Sequence, residues 1–222
     1  MKSDLDKWAE NLTKEVYDEW KTKYSYWNSG FRVFYSPIKY KPSLLIISLN
    51  PGGGPKDFEK HHSNFKNKNF SLDKENVYVT RNRLFAKKVR LLFEHNEDAL
   101  QTSVATTVLF FRSKNIKYWK KENPKKTRLK MEQFAYEKVQ EIFDKVRPKK
   151  ILVIGLGVYK RLEENVIKIE NETTIESFGS VGRVIIAETG NIKMLVIPHL
   201  TGSRISIKNM DKIKKILDIF LI

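Results

Sequence analysis

A turn rich in proline and glycine, residues 48–54 (Ser-Leu-Asn-Pro-Gly-Gly-Gly), follows an apolar run and holds the first residues suited to chemistry. Pro51 fixes one backbone angle, and Gly52 and Gly53 allow a ligand close to the backbone, whose N–H groups can bind an anion. Asn50 cannot act as a general base, because an amide does not titrate. Its carbonyl oxygen can orient a water molecule, and its amino group can donate to a substrate. A purely structural Asn-Pro-Gly turn is the alternative.

His199 stands in a second segment of this kind, Pro-His-Leu-Thr-Gly-Ser-Arg at 198–204, directly after an apolar run. A neutral histidine there can donate a hydrogen bond to charge that develops on a leaving group. A structural histidine is the alternative, but the polar run that follows contains a cation and favours a functional role. His61 and His62 lack an accompanying carboxylate pattern, so we predict no metal site.

Glycine motifs for nucleotide cofactors are absent from the sequence. No Gly-x4-Gly-Lys-Ser/Thr run occurs, which excludes a P-loop. The pair Gly155 and Gly157 does not make a dinucleotide fingerprint, because Lys160 stands where the third glycine is needed. The pair predicts a tight strand-to-helix turn, and we expect no cofactor.

The charge balance points to a polyanionic partner. The chain has 42 Lys and Arg against 26 Asp and Glu, which gives a formal net charge of +16 and a pI of about 9.8. Such a charge favours nucleic acid, because neutralising phosphates releases counterions. An A/T-biased coding sequence is the alternative, since lysine supplies most of the basic residues.

Basic residues also cluster locally, with aromatic residues among them. Residues 112–130 carry nine basic residues and one acidic residue, and 81–90 carry five basic residues and no acidic one. Interleaved cations and aromatics suit phosphate contacts and base stacking. A solvated lysine-rich loop is the alternative. The predicted nucleic-acid contacts are Arg83, Lys87, Arg112, Lys114, Lys117, Trp119, Lys120 and Lys121.

Hydrophobic periodicity predicts the elements that must position these residues. Ser3 and Asp6 predict the start of an N-terminal helix within residues 1–25. Strands and helices then alternate, which predicts an α/β fold with a mainly parallel sheet covered on both faces. Ligands bind at the carboxyl ends of such strands, where the turn at Asn50 and the segment at His199 fall. Predicted strands cover 44–48, 104–111, 151–154, 183–187 and 193–197; predicted helices cover 81–95, 128–146, about 156–164 and the C-terminus; long loops cover 52–76 and 114–126.

The remaining composition bounds the class of protein. At 222 residues the chain fits a single domain, and we expect a monomer. The absence of cysteine excludes disulfides and cysteine nucleophiles and is compatible with a reducing cytosol. No apolar stretch approaches the roughly 18–20 residues of a membrane span, and the N-terminus lacks an apolar signal core. We therefore expect a cytoplasmic protein with no membrane partner.

Two motifs together resemble the uracil-DNA glycosylase superfamily, most closely its mismatch-specific and single-strand-selective branches. The first motif is Leu-Leu-Ile-Ile-Ser-Leu-Asn-Pro-Gly at 44–52, with a Ser-Pro lead-in at 36–37, and the second is Ile-Pro-His-Leu-Thr-Gly-Ser-Arg at 197–204. The likeness covers roughly residues 30–220. It implies a three-layer α/β/α fold around a four-stranded, mainly parallel sheet, with a base pocket at the strand ends.

The resemblance also implies roles for individual residues. Asn50 matches the asparagine that orients the attacking water, and His199 matches the histidine that stabilises the departing base. The backbone of Pro51 and Gly52 would line the pocket. Further substrate contacts are implied for Gly53, for Phe58 as the aromatic platform (with Phe65 as its competitor) and for Arg204 near the residue that enters the DNA stack.

The sequence departs from the family at the base-reading position. Thr107, a further predicted substrate contact, stands where the family places an asparagine that reads uracil, and a hydroxyl cannot make the paired contacts of an amide. Ser48 replaces a glycine, and Leu200 and Thr201 replace Pro-Ser. Uracil specificity therefore does not follow from the resemblance.

The leading hypothesis is a monofunctional DNA glycosylase-like enzyme. It would flip a damaged, deaminated or modified base from DNA, single-stranded or lesion-containing, into a pocket and hydrolyse its N-glycosidic bond. Two alternatives stay open: a catalytically inactive nucleic-acid-binding module of the same fold, and a nucleotide- or nucleobase-binding protein.

Overall fold

The computed structural model describes residues 2–203 and 205–222, without the side chain of Lys60. The strands are β1 (Leu45–Ser48), β2 (Val104–Thr107), β3 (Lys150–Ile154), β4 (Asn171–Ser177), β5 (Arg183–Thr189) and β6 (Ile192–Ile197). The helices are α1 (Asp4–Lys23), α2 (Pro55–Lys66), α3 (Val77–Thr80), α4 (Leu84–Leu92), α5 (Glu97–Thr102), α6 (Ile116–Glu122), α7 (Lys125–Val146), α8 (Leu156–Asn165) and α9 (Ile207–Leu221).

The strands form one six-stranded sheet in the order β2-β1-β3-β6-β5-β4. The α/β class is confirmed, but the prediction of a four-stranded, mainly parallel sheet was wrong, because the sheet is mixed. The neighbouring strands β2, β1, β3 and β6 are parallel to one another, whereas β5 pairs antiparallel with both β6 and β4. A tight turn joins β5 to β6, and two strands so joined can only pair antiparallel.

The two faces of the sheet carry separate apolar cores. Side chains along β1 alternate between the two cores. Leu45 and Ile47 pack with α1, α7 and α8, whereas Ile46, like Leu44 just before the strand, packs with α4 and α9. Strands covered on both faces are apolar throughout, and β1 is buried at every position. The helices thus lie in layers on both sides of the sheet and leave its strand ends accessible.

The N-terminal helix α1 begins as its sequence predicts. The backbone N–H of Asp6 donates to Ser3 Oγ at 3.1 Å, and the N–H of Ser3 donates to Asp6 Oδ2 at 3.1 Å, which together form a capping box. Leu12, Val16 and Trp20 are buried against the rest of the protein. The apolar stripe of this helix is therefore core.

Two segments predicted as loops contain helices. α2 lies within 52–76 and α6 within 114–126. α2 begins with Pro55 in its first turn, and Asp57 accepts from the Gly54 N–H at 3.0 Å. Among its described side chains, the helix buries only Phe58 and Phe65. So few buried positions give too weak a periodicity to predict a helix.

Other helices and strands begin or end at residues that differ from the predicted ones. The predicted strand 104–111 pairs in the sheet only to Thr107, and the predicted helix 81–95 begins at Leu84. The apolar residues of this segment predict that Leu84 and Leu91 face the core, but Leu84 is 64% exposed and Leu91 38% exposed. β4 escaped prediction because it is an exposed edge strand with little apolar character.

A cluster of aromatic rings fills the core beneath α2. Phe58, predicted as a platform for a base, is only 2% exposed and packs at 5.0 Å from Trp20 and 5.4 Å from Phe31 between ring centroids. Its competitor Phe65 stacks on Phe31 at 5.3 Å. Both rings therefore pack in the core and stabilise the attachment of α2, and neither is exposed as a platform for a base.

Gly30 is required by this cluster, and its substitution gives a stability prediction. Its φ is +64°, and a Cβ placed there would lie 2.2 Å from the ring of Phe58. We expect Gly30→Ala to destabilise the protein by about 2–4 kcal/mol in urea unfolding, from backbone strain and overpacking. Gly157→Ala is the control: it is helical with nothing within 4 Å of its Cβ, so stability should rise by about 0.5–1 kcal/mol. Equal stability of Gly30→Ala and wild type would contradict the packing described here.

Among the described residues, no helix combines the length and apolar character needed to cross a membrane.

Candidate active site

A cleft of about 940 Å³ opens at the carboxyl ends of the parallel strands. Asn50 reaches it from the turn after β1, Gly155 from the turn after β3, and His199 from the segment after β6. Because these three strands are adjacent and parallel, their ends meet at one edge of the sheet. The structure thus brings the two predicted catalytic residues into one cavity, although they stand far apart in the chain.

The amide of Asn50 has a defined orientation. Its Nδ2 donates to the carbonyl oxygens of Pro51 and Ser113, both at 3.1 Å. Those carbonyls can only accept, so the amino group must point toward them and the Oδ1 atom must point away. Asn50 therefore offers the cleft a hydrogen-bond acceptor, which is the group that can orient a water molecule.

The ring of His199 is likewise fixed by the segment that carries it. Nδ1 accepts from the backbone N–H of Gly202 at 3.0 Å and from that of Thr201 at 3.3 Å. An imidazole that accepts at Nδ1 carries its proton on Nε2. Burial lowers the pKa of His199 below its ordinary value of 6.5, so the ring is neutral at neutral pH. His199 is thus a neutral Nε2–H donor.

Aromatic rings line one wall of the cleft. Phe85 lies 5.7 Å from His199 and 5.6 Å from Tyr78 between ring centroids, and Tyr78 stacks on Tyr35 at 5.4 Å. Tyr78 and Tyr35 are buried, and the Tyr78 hydroxyl lies 3.3 Å from Ser48 Oγ. Phe85 is half-buried at the cleft, so its ring is the one placed to stack on a planar ligand.

The cleft is strongly cationic. Its described lining contains one acidic side chain, Glu164, against six basic ones. The basic residues are Arg81, Arg83, Arg112, Lys114, Lys160 and Arg161. This imbalance favours an anionic ligand, since cations lining a concave, partly dry surface focus the electrostatic potential there.

Arg112 and its neighbour hold the turn that carries Asn50. Arg112 Nη1 donates to the carbonyl of Gly52 at 3.0 Å, and the Ser113 N–H donates to the carbonyl of Pro51 at 2.9 Å. Together with the bond from Asn50 to Ser113, these contacts tie the segment after β2 to the turn after β1. The position of the Asn50 amide therefore depends on this second segment.

The glycine-rich turn contributes less to the cleft than its sequence predicts. Gly52 lines the cavity, whereas Pro51 is buried and a Cβ on Gly53 would meet Asp57 Oδ2 at 2.2 Å. The Gly54 N–H already donates to the same carboxylate. Much of the turn thus packs against the first turn of α2.

Two further residues predicted to contact a ligand, Trp119 and Thr107, make their contacts within the core instead. Trp119 is 2% exposed, its Nε1–H donates to Glu132 at 3.1 Å, and its ring stacks on Phe111 at 6.1 Å, so it is not available to stack on a base. Thr107 is 1% exposed and its hydroxyl donates to the carbonyl of Leu109 at 2.9 Å, so it does not read a base. Both residues are therefore part of the core and lie outside the described lining of the cleft.

The predicted nucleic-acid contacts divide into two groups. Arg83, Arg112 and Lys114 line the cleft, whereas four exposed lysines lie outside its described lining. Those four are Lys87, Lys117, Lys120 and Lys121. Arg83 pairs with Asp57. Arg204, predicted as a substrate contact, lies outside the described residues.

Sequence reasoning missed several residues of the cleft. Phe85 and Arg81 come from a segment predicted as a basic helix, without a role for either side chain in a cleft, and Asn115 comes from a segment predicted as a loop. Asn115 caps α6 by accepting from the Tyr118 N–H at 2.8 Å, which leaves its amino group for the cleft. The signal that could have found it is the Asn N-cap three residues before an aromatic.

Within the part of the chain that the structure describes, no three His, Cys, Asp or Glu side chains cluster so as to hold a metal ion. No model of a known protein family matches the chain, and a comparison with curated proteins also gives no match. The function must therefore be argued from the cleft and from the two motifs that meet in it.

Proposed function

We propose that the protein is a divergent, monofunctional DNA glycosylase that hydrolyses the N-glycosidic bond of a damaged, deaminated or modified base. The observation that carries the proposal is the pairing of Asn50 and His199 across one cleft, with an acceptor on the first and a neutral donor on the second. Their two segments are also the ones that resemble the uracil-DNA glycosylase superfamily.

The chemistry follows from these two groups. The target nucleotide leaves the base stack and its base enters the cleft, at a cost of a few kcal/mol for unstacking. Asn50 Oδ1 accepts a hydrogen bond from the attacking water, whose oxygen bonds to C1′. The C1′–N bond breaks, its electron pair goes to the base, and the Nε2–H of His199 donates to the charge that develops there. The water proton leaves to the base or to solvent.

Two further features of the cleft support a nucleobase as ligand. The half-buried ring of Phe85, next to His199, offers a face for stacking, which contributes about 1–3 kcal/mol per base in other nucleic-acid-binding proteins. The amino group of Asn115 offers a hydrogen-bond donor at the cleft, whereas the hydroxyl of Thr107 is used within the core and offers none. A donor without a paired acceptor recognises a base carbonyl, which uracil, hypoxanthine and xanthine all carry.

The test is a strand-cleavage assay on a panel of oligonucleotides. Single-stranded and duplex substrates that contain uracil, hypoxanthine, xanthine or other altered bases are incubated with wild type and Asn50→Ala, and abasic sites are then cleaved with alkali. We expect cleavage of at least one substrate by wild type and a strong loss with Asn50→Ala. An absence of cleavage across the whole panel would remove the enzymatic proposal.

A catalytically inactive nucleic-acid-binding module is the second candidate. The observation that favours it is Thr107, whose hydroxyl is used within the core where the resemblance implies a base-reading amide. Such a module would bind DNA in a salt-dependent manner, and its affinity would survive Asn50→Ala and His199→Ala. Binding without cleavage across the panel would select it.

A further inference from the structure

Four arginines, Arg32, Arg81, Arg83 and Arg112, lie close enough for their charges to act on one another, and among the described residues only two of them form ion pairs. Arg32 pairs with Asp73, and Arg83 pairs with Asp57. Arg81 and Arg112 form no ion pair with any described residue.

Arg112 is a buried cation with an unused donor. The residue is 2% exposed, its Nε donates to the carbonyl of Phe31 at 3.3 Å, and its Nη1 donates to that of Gly52 at 3.0 Å. Its Nη2 is buried and has no hydrogen-bond partner within the described residues. Burial lowers the pKa of Arg112 to about 10, which still leaves it charged at neutral pH. A buried guanidinium with an unpaired nitrogen is costly unless an anion offsets it.

Arg81 stands beside it with its whole guanidinium unused. It is half-buried, and over residues 2–203 and 205–222 its side chain makes no ion pair or side-chain hydrogen bond. It lines both the main cleft and an adjoining pocket of about 410 Å³, which Lys56, His61 and the Arg83-paired Asp57 also line. Burial and the charge of Arg32 lower the pKa of Arg81, although the nearby Asp73 carboxylate raises it.

We propose that Arg81 and Arg112 form a phosphate-binding subsite at the junction of the cleft and the adjoining pocket. A guanidinium presents planar, paired N–H donors that match phosphate oxygens, and two of them suit a group that carries one or two negative charges. The subsite lies beside the turn of Asn50, since Arg112 also bonds Gly52 of that turn. The inference rests on the proposed function only for the identity of the neighbouring base.

The same subsite can take its phosphate from two sources. A phosphodiester of single-stranded DNA would place the nucleotide next to a target base, whereas a terminal phosphate would belong to a free nucleotide. The probes are therefore inorganic phosphate, thymidine, thymidine 5′-monophosphate and a pentathymidylate without a terminal phosphate. Binding to the full chain is measured by calorimetry and by the ligand-induced rise in Tm.

The decisive variant is Arg81→Gln, because this side chain has no hydrogen-bond or ion-pair partner among the described residues whose loss would disturb the fold. Its matched control is Lys160→Gln, which removes the same charge from the α8 wall of the same cleft. We expect Arg81→Gln to weaken binding of phosphate-bearing probes at least about tenfold, and Lys160→Gln to weaken it less than about threefold. Thymidine binding should not depend on Arg81.

The outcomes separate the possibilities. Dependence on Arg81 for the pentathymidylate supports a diester source, and dependence for the monophosphate alone supports a free nucleotide. Equal losses in both variants, or no binding of any phosphate-bearing probe by wild type, would overturn the subsite. Arg112→Lys keeps the charge without the paired donors and should also weaken binding; if it fails to fold, Arg81→Gln decides alone. Because binding needs no turnover, Arg81-dependent binding without cleavage would count only against the glycosylase.

Discussion

His199→Ala is expected to lower the single-turnover rate of base release by about 10²–10³-fold, the cost of removing one donor to developing negative charge in other enzymes. The structure gives the physical reason. Two backbone N–H groups fix Nδ1 as an acceptor, so Nε2 carries the proton and is already oriented before a ligand enters. Single-turnover gel assays on the cleaved substrate measure the rate, and binding to the same oligonucleotide should change little.

The pH profile provides a separate check on the same residue. Because burial lowers the pKa of His199 from its ordinary value of 6.5, the neutral donor is present at neutral pH and persists below pH 6.5. The rate should fall only as the pH drops through that lowered pKa, and this acid limb should vanish in His199→Ala. Thr201→Val is the control, since it removes only the hydroxyl 3.3 Å from Nδ1 and keeps the backbone donor. A rate that rises as the pH falls through this range would contradict a neutral donor.

Asn50→Ala is expected to lower the same rate by at least about 10²-fold, because loss of a positioned water misplaces the nucleophile. The substitution also removes two hydrogen bonds of the turn, so we expect a stability loss of about 1–3 kcal/mol. Rates should therefore be compared well below both melting temperatures. Substrate affinity should be retained, which separates a defect in chemistry from a defect in binding.

A matched amide deletion controls for the loss of stability. Asn165 Nδ2 also donates to a backbone carbonyl, that of Arg161 at 3.0 Å, but the residue lies outside the described lining of the cleft. Asn165→Ala should leave the rate within about twofold of wild type. If Asn50→Ala cleaves as fast as this control, Asn50 does not orient the nucleophile.

The alternation of apolar strands and amphipathic helices predicted the α/β class, because burial on both faces of a sheet imposes a continuous apolar run. The runs at 44–48, 151–154 and 193–197 each became a strand of the parallel part of the sheet. β4 could not be predicted in this way. It lies at an exposed edge, where pairing with β5 stabilises it and apolar burial does not.

Single aromatic residues could not be assigned from sequence. Phe58 and Trp119 stand in polar segments that suggested ligand contacts, yet both rings are 2% exposed and pack in the core. Phe85, in a segment read for its charge, is the ring at the cleft. The cause is the same in each case: an aromatic ring on a short helix faces inward or outward according to packing against distant elements, which local sequence does not encode.

The sequence by itself determined which chemical groups follow the ends of β1 and β6, since apolar runs and proline place Asn50 and His199 just beyond those strands. Only the tertiary structure decided what the two groups offer. The orientation of the Asn50 amide depends on the carbonyl of Ser113, 63 residues away, and the unpaired charge of Arg112 depends on which arginines meet which carboxylates. Both are set by the order of the strands in the sheet, because contacts between the ends of separate strands exist only once the sheet has formed.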